Sequence, residues 1–130
     1  MTQIGILANS VKGGDAPGPE YEGKFLQLSW QGRDYLLFAS FAIHRYHNQI
    51  LGQFCEDNSI PHRWVTEESL AVDDPDLTVT GGGRFRVNQS RKMLELWDDS
   101  QVYGRFVERG LREKIAAAAH PWSGFALNIR

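Results

Sequence analysis

KFLQLSWQGRDYLLFA, residues 24–39, places two apolar runs on either side of the polar turn Gln31-Gly32-Arg33-Asp34. The runs, Lys24–Gln31 and Tyr35–Ala39, are rich in aromatic and aliphatic side chains. Such runs separated by a short glycine-containing turn are typical of a β-hairpin. We therefore predict two antiparallel strands joined as a hairpin.

Other apolar runs supply further strands. Leu77–Thr80 leads into Gly81-Gly82-Gly83, Phe85–Val87 resumes the alternation, and Lys92–Trp97 follows a polar turn as an antiparallel return. Strand composition also occurs at Gln3–Ala8, His62–Thr66 and Phe125–Ile129. The glycine- and proline-rich segment Asn9–Gly23 and the acidic segment Glu67–Asp76 are predicted to be loops.

Two segments have helical periodicity. Ser40 is a candidate N-cap, and a stripe of residues at helical spacing follows it as far as the polar Glu56–Ser59: Ile43, Tyr46, His47, Ile50, Leu51 and Phe54. The second helix has apolar residues at four-residue intervals: Val107, Leu111, Ile115 and Ala119. Pro61 and Pro121 lie just beyond the two predicted helices and prevent their continuation.

The whole pattern predicts an α+β fold with a mixed sheet of about six strands and two helices. A chain of 130 residues with 42% hydrophobic side chains can bury roughly two-thirds of its unfolded surface. We expect residues 1–130 to form a single domain, because no linker or internal repeat divides the sequence.

Three short segments carry the functional signal: Tyr46-His47-Asn48-Gln49-Ile50, Gly81-Gly82-Gly83-Arg84 and Ser100-Gln101-Val102-Tyr103-Gly104. The first places a histidine in the opening turns of a predicted helix, where unpaired N–H groups favour an anion. The second lets the backbone pass close to a ligand and then presents a guanidinium group. The third adds a hydroxyl group and a turn. Together they predict a phosphate-binding site.

In order and approximate spacing these segments resemble the Janus/Ocnus family, which includes the protein histidine phosphatases. The family pattern matches Tyr46, His47 and Ile50, then Gly81–Arg84, and then Ser100–Gly104 with Val102 in place of alanine. Lys24, before an apolar strand, resembles the family's phosphate-side lysine. The chain departs from the pattern in three places: Leu37–Ser40 has no counterpart of the family's arginine, Asp98 and Asp99 precede Ser100, and the segment between His47 and Gly81 is longer.

The resemblance implies a fold in which helices flank the sheet, and a metal-independent phosphohistidine or phosphoramidate phosphatase. His47 is the expected catalytic residue, as general base or as nucleophile. The expected phosphate-binding residues are Lys24, Asn48, Arg84, Ser100 and Val102, supported by Tyr46, Gly81, Gly82, Gly83, Tyr103 and Gly104. No cofactor is implied, and the expected partner is a phosphorylated protein or a small phosphoramidate. The alternative is a non-enzymatic phospholigand-binding or protein-interaction domain of the same fold, favoured by the missing arginine and the added carboxylates.

Each of these residues also has a purely structural interpretation. His47 falls on an apolar stripe, so it can equally be a core histidine with one ring nitrogen bonded to a carbonyl. The glycines can form a β-bulge, and Arg84 can lie on a solvated face. Ser100 can simply begin a turn, and Lys24 can be a gatekeeper on an edge strand.

Composition excludes several other functions. The net charge of −2 gives no general attraction to nucleic acid or anionic lipid, and the four tryptophans are scattered rather than interleaved with basic residues. His44 and His47 are too few for a closed zinc site, and no recognised ligand spacing follows them. No apolar run approaches membrane-spanning length. The single cysteine, Cys55, is expected to be a buried structural thiol in a cytoplasmic protein.

Overall fold

The computed structural model describes residues 2–7 and 19–130. In chain order the elements are β1 (Thr2–Ile6), β2 (Glu20–Trp30), β3 (Arg33–Ser40), α1 (His47–Asp57), β4 (His62–Trp64), β5 (Leu70–Val72), β6 (Thr78–Asn88), β7 (Met93–Trp97), α2 (Leu111–Ala117) and β8 (Ala126–Ile129). Six strands form one curled mixed sheet in the order β1-β3-β2-β6-β7-β8, and β4 and β5 form a small second sheet. The predicted α+β class, with six strands and two helices, is confirmed.

The inner pairs of the six-stranded sheet are antiparallel and the two outer pairs are parallel. β2 and β3 form the predicted hairpin, closed at the pair Trp30 and Arg33. β6 runs through the triple glycine, and β7 returns beside it from the pair Asn88 and Met93. β1 pairs with β3, and β8 pairs with β7, in parallel.

The predictions near the N-terminus need correction. The first strand ends at Ile6 rather than at Ala8. Most of the predicted loop Asn9–Gly23 lies outside the described residues, but residues 20–23 belong to β2. They are extended because Glu20–Gly23 pair with Asn88–Phe85 of β6, a long-range contact that composition does not reveal.

The first helix begins later than predicted. The Ser40 carbonyl accepts the N–H groups of Ile43 and His44, both at 3.0 Å, and forms a turn instead of capping a helix. Tyr46 is extended, and α1 starts at His47. Gln49 Oε1 accepts the N–H groups of Arg45 and Tyr46, at 2.8 and 3.2 Å, which fixes the start of the helix.

The acidic segment Glu67–Asp76 is not entirely a loop, because it contains β5. β5 pairs antiparallel with β4, which is shorter than the predicted strand His62–Thr66. Leu70 and Val72 pack against the core beneath α1, so their apolar side chains outweigh the surrounding charge.

The second helix is also shorter than predicted. It begins at Leu111, because Gly110 has the left-handed backbone angle φ of +74° and breaks the helical path. Val107 lies outside it, half-exposed, with its N–H group bonded to Gln27 Oε1 at 2.7 Å. At the other end Ala118, rather than Ala119, is buried.

Two hydrophobic cores lie on opposite faces of the large sheet. We call the face that carries α1 the α1 face and the other the α2 face. The core of the α1 face includes Leu26, Leu28, Leu37, Ile50, Leu51 and Phe54. The core of the α2 face includes Phe25, Phe38, Phe85, Phe106, Leu111 and Trp122. Successive residues of β2 and β3 alternate between the two, as the period of a strand requires.

None of the helices within residues 2–7 and 19–130 has the length and apolar character needed to span a bilayer.

Candidate functional site

A pocket of about 220 Å³ lies at the N-terminal end of α1. Six of the predicted site residues line it: Lys24, Tyr46, His47, Asn48, Ser100 and Val102. They come from β2, from the start of α1 and from the turn after β7, so the fold brings together segments more than 70 residues apart in sequence. Five further residues line the pocket that were not predicted: Gln49, Trp64, Glu67, Glu68 and Gln101.

His47 is the first residue of α1, and only 5% of it is exposed. Its ring Nε2 lies 3.1 Å from the backbone carbonyl oxygen of Gly83. A carbonyl oxygen only accepts, so Nε2 carries the proton and donates it, and in the neutral ring Nδ1 keeps the lone pair. Burial and this hydrogen bond agree with the core-histidine interpretation, and the place of His47 in the pocket lining agrees with the site interpretation.

The surroundings of His47 favour its neutral form. Burial lowers the pKa of His47 below its ordinary value, and the positive charge of Lys24 lowers it further. The hydrogen bonds to the backbone at Gly83 and Phe25 and the charge of Asp98 act in the opposite direction without reversing the shift. His47 is therefore a neutral imidazole at neutral pH.

Gly82 makes room for the His47 ring. A Cβ atom at Gly82 would lie 2.8 Å from Cδ2 and Nε2 of His47, and 2.8 Å from the Phe25 carbonyl oxygen. Real Cβ atoms essentially never approach other atoms so closely, so only glycine leaves room for the imidazole at this place on the sheet. Beside it, the pairing register between β2 and β6 shifts next to Gly81. The bulge interpretation and the ligand-side interpretation of the glycines are thus compatible.

The turn Ser100–Gly104 is attached to the same glycine. Gly82 donates its N–H group to the Gly104 carbonyl at 3.0 Å, and its own carbonyl accepts the N–H group of Phe106 at 3.1 Å. Ser100 is 3% exposed, and its Oγ accepts the N–H group of Tyr103 at 3.2 Å. Because Oγ accepts that bond, its own O–H remains able to donate. Gly82 therefore contacts both the His47 ring and the turn that carries Ser100.

Asn48 and Tyr103 tie three walls of the pocket together. The Tyr103 hydroxyl donates to Asn48 Oδ1, and Asn48 Nδ2 donates to the Glu68 carbonyl oxygen. Each bond uses only one of the two sites on its amide atom, so the contacts orient the Asn48 side chain without saturating it, and the backbone N–H of Asn48 also lies in the first turn of α1. Burial raises the pKa of Tyr103, which keeps its hydroxyl protonated as a donor.

Lys24 supplies the positive charge of the pocket. It lies on β2, an inner strand, so the gatekeeper interpretation as an edge-strand lysine is wrong. Its Nζ lies 5.6 Å from the ring centre of Tyr46, at the distance of a cation–π contact. Within the described part of the chain Lys24 has no carboxylate partner, so its charge is not neutralised.

Arg84 is not brought into the pocket. It pairs with Lys24 across β2 and β6, but its guanidinium group lies 3.7 Å from Glu22 and contacts the rings of Phe41 and Trp97. Asp98 and Asp99 are exposed and do not line the pocket either. The described lining therefore has fewer cations than the sequence indicated.

Three of the five unpredicted pocket residues lie outside the sequence motifs altogether: Trp64, Glu67 and Glu68. They belong to the β4–β5 hairpin, whose 65–69 turn is closed by hydrogen bonds from Val65 to Ser69 and from Glu68 to Thr66. The Trp64 indole packs over Gly52 of α1, which fixes the hairpin against the helix. No sequence motif marks Glu67 and Glu68 as site residues, because only this packing of the hairpin on α1 brings them near His47.

The remaining candidate groups lie elsewhere. Cys55 is fully buried, and burial raises the pKa of its thiol to about 11, so it is a structural thiol as predicted. The His44 ring is hydrogen-bonded to Gln53, outside the pocket lining. Among the described residues, no three histidine, cysteine or acidic side chains are grouped as metal ligands would be.

Neither the models of known protein families nor the curated proteins contain a match to this sequence. The resemblance to the Janus/Ocnus family therefore stays a prediction from the motifs.

Proposed function

We propose that the pocket at the start of α1 hydrolyses phosphohistidine or a related phosphoramidate without a metal ion. One observation carries the proposal: a buried, neutral histidine shares a pocket of about 220 Å³ with the buried Ser100 hydroxyl and the unpaired Lys24. Neutral imidazole, a hydroxyl donor and a cation are the groups that phosphoryl transfer to water requires for proton acceptance and charge stabilisation.

The phosphoryl group is proposed to bind at the N-terminus of α1. The backbone N–H groups of His47 and Asn48 have no hydrogen-bond acceptor among the described residues, and the helix dipole favours an anion there. The Ser100 hydroxyl provides a third donor, and Lys24 offsets the negative charge. Val102 lines the same end of the pocket through the turn that holds Ser100.

His47 has two possible roles, and both use Nδ1. As a general base, Nδ1 takes a proton from water while the water oxygen bonds to phosphorus and the P–N bond breaks. As a nucleophile, Nδ1 bonds to phosphorus and water then hydrolyses the phosphohistidine. The leaving nitrogen takes up a proton as the P–N bond breaks: in the general-base role from the imidazolium that His47 has become, and in the nucleophilic role from a solvent water molecule. The hydrogen bond from Nε2 to Gly83 would orient the ring in either role.

A second candidate function is a phospholigand-binding domain without turnover. The charge of the pocket favours it: among the described lining residues Lys24 is the only Lys or Arg, and Glu67 and Glu68 add two carboxylates. Such a site can hold a phosphoryl group on backbone N–H groups while stabilising the transition state poorly. The partner in either case is a phosphorylated protein or a small phosphoramidate, and a cytoplasmic location stays a prediction from the single reduced cysteine.

Phosphate release from phosphoramidate and phosphohistidine, measured with and without a chelator, tests the proposal. We expect a rate of phosphate release that a chelator leaves unchanged. His44 lies outside the pocket lining, so His44→Ala is the matched control for a His47 variant and should release phosphate at the wild-type rate. Release that a chelator abolishes would refute the metal-free mechanism.

A titration with inorganic phosphate separates the two candidates. We expect the backbone amide signals of His47 and Val102 to shift together, because both line one pocket. Joint shifts without phosphate release would support the binding domain. No shift at either residue in a folded sample would exclude both candidates.

A further inference from the structure

The charge distribution of the pocket matches a free phosphate ion only in part. Lys24, the N-terminus of α1 and the Ser100 hydroxyl favour negative charge, whereas Glu67 and Glu68 in the same lining oppose it. A small dianion would therefore be attracted by one wall and repelled by another. A ligand that carries a phosphoryl group and a positive charge side by side would match both walls.

The two carboxylates lie on a turn that borders the pocket. Neither Glu67 nor Glu68 has a basic partner among the described residues. The Glu68 backbone is fixed, because Thr66 Oγ1 accepts its N–H group at 3.2 Å and Asn48 Nδ2 donates to its carbonyl oxygen. The turn that carries both carboxylates is thus attached to Asn48, the second residue of α1.

The size of the pocket indicates a ligand that extends beyond it. At about 220 Å³ it is smaller than the roughly 300–1,000 Å³ usual for sites that enclose a small molecule. Large side chains that are 44 to 65% exposed surround it: Tyr46, Trp64 and Val102. These side chains offer an apolar surface for the chain on either side of a phosphorylated residue.

We propose that the ligand is a phosphorylated peptide segment with lysine or arginine next to the phosphorylated residue. The phosphoryl group enters the pocket, the flanking cations pair with Glu67 and Glu68, and the peptide packs on Tyr46 and Trp64. This inference rests on the proposed function only in requiring that the pocket binds a phosphoryl group. It holds whether or not the group is hydrolysed.

The test uses peptides with a non-hydrolysable phosphohistidine analogue at the centre, flanked by lysine, serine or glutamate. Binding is followed by fluorescence anisotropy of the dye-labelled peptide. We expect the lysine-flanked peptide to bind roughly 5- to 20-fold more tightly than the serine-flanked one, the range for two exposed ion pairs. Raising NaCl to about 0.5 M should remove most of this difference.

The double variant Glu67→Gln/Glu68→Gln should reduce the preference for lysine to less than about 2-fold. The same variant should bind phosphoramidate more tightly than wild type, because two repelling charges are removed. Glu20→Gln/Glu113→Gln is the charge-matched control, since both residues are exposed and neither lines the pocket. It should leave both measurements unchanged.

Failure of this inference can be told apart from failure of the proposed function. Equal binding of all three peptides, or a lysine preference that survives in the double variant, would overturn it even if phosphoramidate is hydrolysed. A lysine preference without hydrolysis would support it and select the binding domain. A small amine-bearing phosphoramidate that binds as tightly as the lysine-flanked peptide would also overturn it, because no peptide would then be needed.

Discussion

The two faces of the large sheet share the same strands but are closed differently. On the α2 face, aromatic rings fill the space against the sheet, with ring centres 5.1 Å apart for Phe38 and Phe85 and 5.7 Å apart for Phe85 and Trp122. On the α1 face, aromatic packing surrounds Phe54, and the N-terminal end of α1 borders an open pocket. The α2 face is packed with aromatic rings, whereas the α1 face has a pocket with a buried histidine at one end of its helix.

β6 shows how this difference arises. Phe85 is fully buried against the α2 face, whereas Gly82 presents bare backbone to the α1 face. The space that a side chain would fill at Gly82 is occupied by the imidazole of His47. Stability is therefore expected to depend most on the α2 face and chemistry on the α1 face, and the following changes test this division.

His47→Gln should lower phosphate release by roughly 10²- to 10⁴-fold, the usual loss when a general base is removed. Glutamine keeps an N–H group able to bond the Gly83 carbonyl but has no nitrogen that can accept a proton at neutral pH. The thermal midpoint should change little, and both quantities are measurable on one preparation. Full activity in a folded His47→Gln protein would make His47 a core residue only.

Phe85→Ala should have the opposite profile. Removing a fully buried aromatic ring costs about 3–5 kcal/mol of the free energy of unfolding, measured by urea denaturation. In the fraction that remains folded, phosphate should still shift the amide signals of His47 and Val102. Loss of those shifts would mean that the two faces are not independent.

Gly82→Ala tests the contact between β6 and the His47 ring that borders the pocket. The added methyl group meets the His47 ring and the Phe25 carbonyl, so we expect a destabilisation of about 1–3 kcal/mol. The ring must also move, which should lower activity even at temperatures where the variant is folded. Gly32→Ala, in the β2–β3 turn and outside the pocket lining, is the control: its φ of +74° makes the substitution strained, but the added Cβ meets no atom within 4 Å, so activity in the folded protein should be unchanged. Unchanged activity in Gly82→Ala would show that the ring position is not critical.

The smallest expected effect is a dependence of stability on pH. Burial lowers the pKa of His47 in the folded protein, so the unfolded chain binds a proton at a higher pH than the folded one. The free energy of unfolding should therefore fall as pH decreases from the ordinary histidine pKa of about 6.5 through the lower folded value. Activity should fall over the same interval, because protonated imidazole cannot accept a proton. Urea denaturation at several pH values should give a flatter profile for His47→Gln, and identical profiles would contradict the shift.

The sequence predicted much of this fold and part of the site. Alternation and the turn at Gly32 were enough for the β2–β3 hairpin, because neighbouring residues determine both. The apolar stripe predicted a helix that begins after Ser40, but α1 begins at His47. The stripe does not reveal that the Gln49 side chain accepts the Tyr46 N–H group and thereby fixes the helix start. His47 and Ser100 were identified through motifs, whereas Trp64 and Glu68 were missed because a hairpin folded against α1 brings them to the pocket.

Local pattern alone predicted most of the strands, the presence of two helices and the buried Cys55, because periodicity and side-chain size act over a few residues. Only the tertiary structure decided which predicted residues meet. It turned Arg84 toward Glu22, left Lys24 without a carboxylate partner among the described residues, and brought Glu67 and Glu68 to the lining of the same pocket. These outcomes depend on strand register and on the β4–β5 hairpin, which are fixed by long-range packing. The same packing places the His47 ring on Gly82 and lowers its pKa, and no short segment of sequence contains that information.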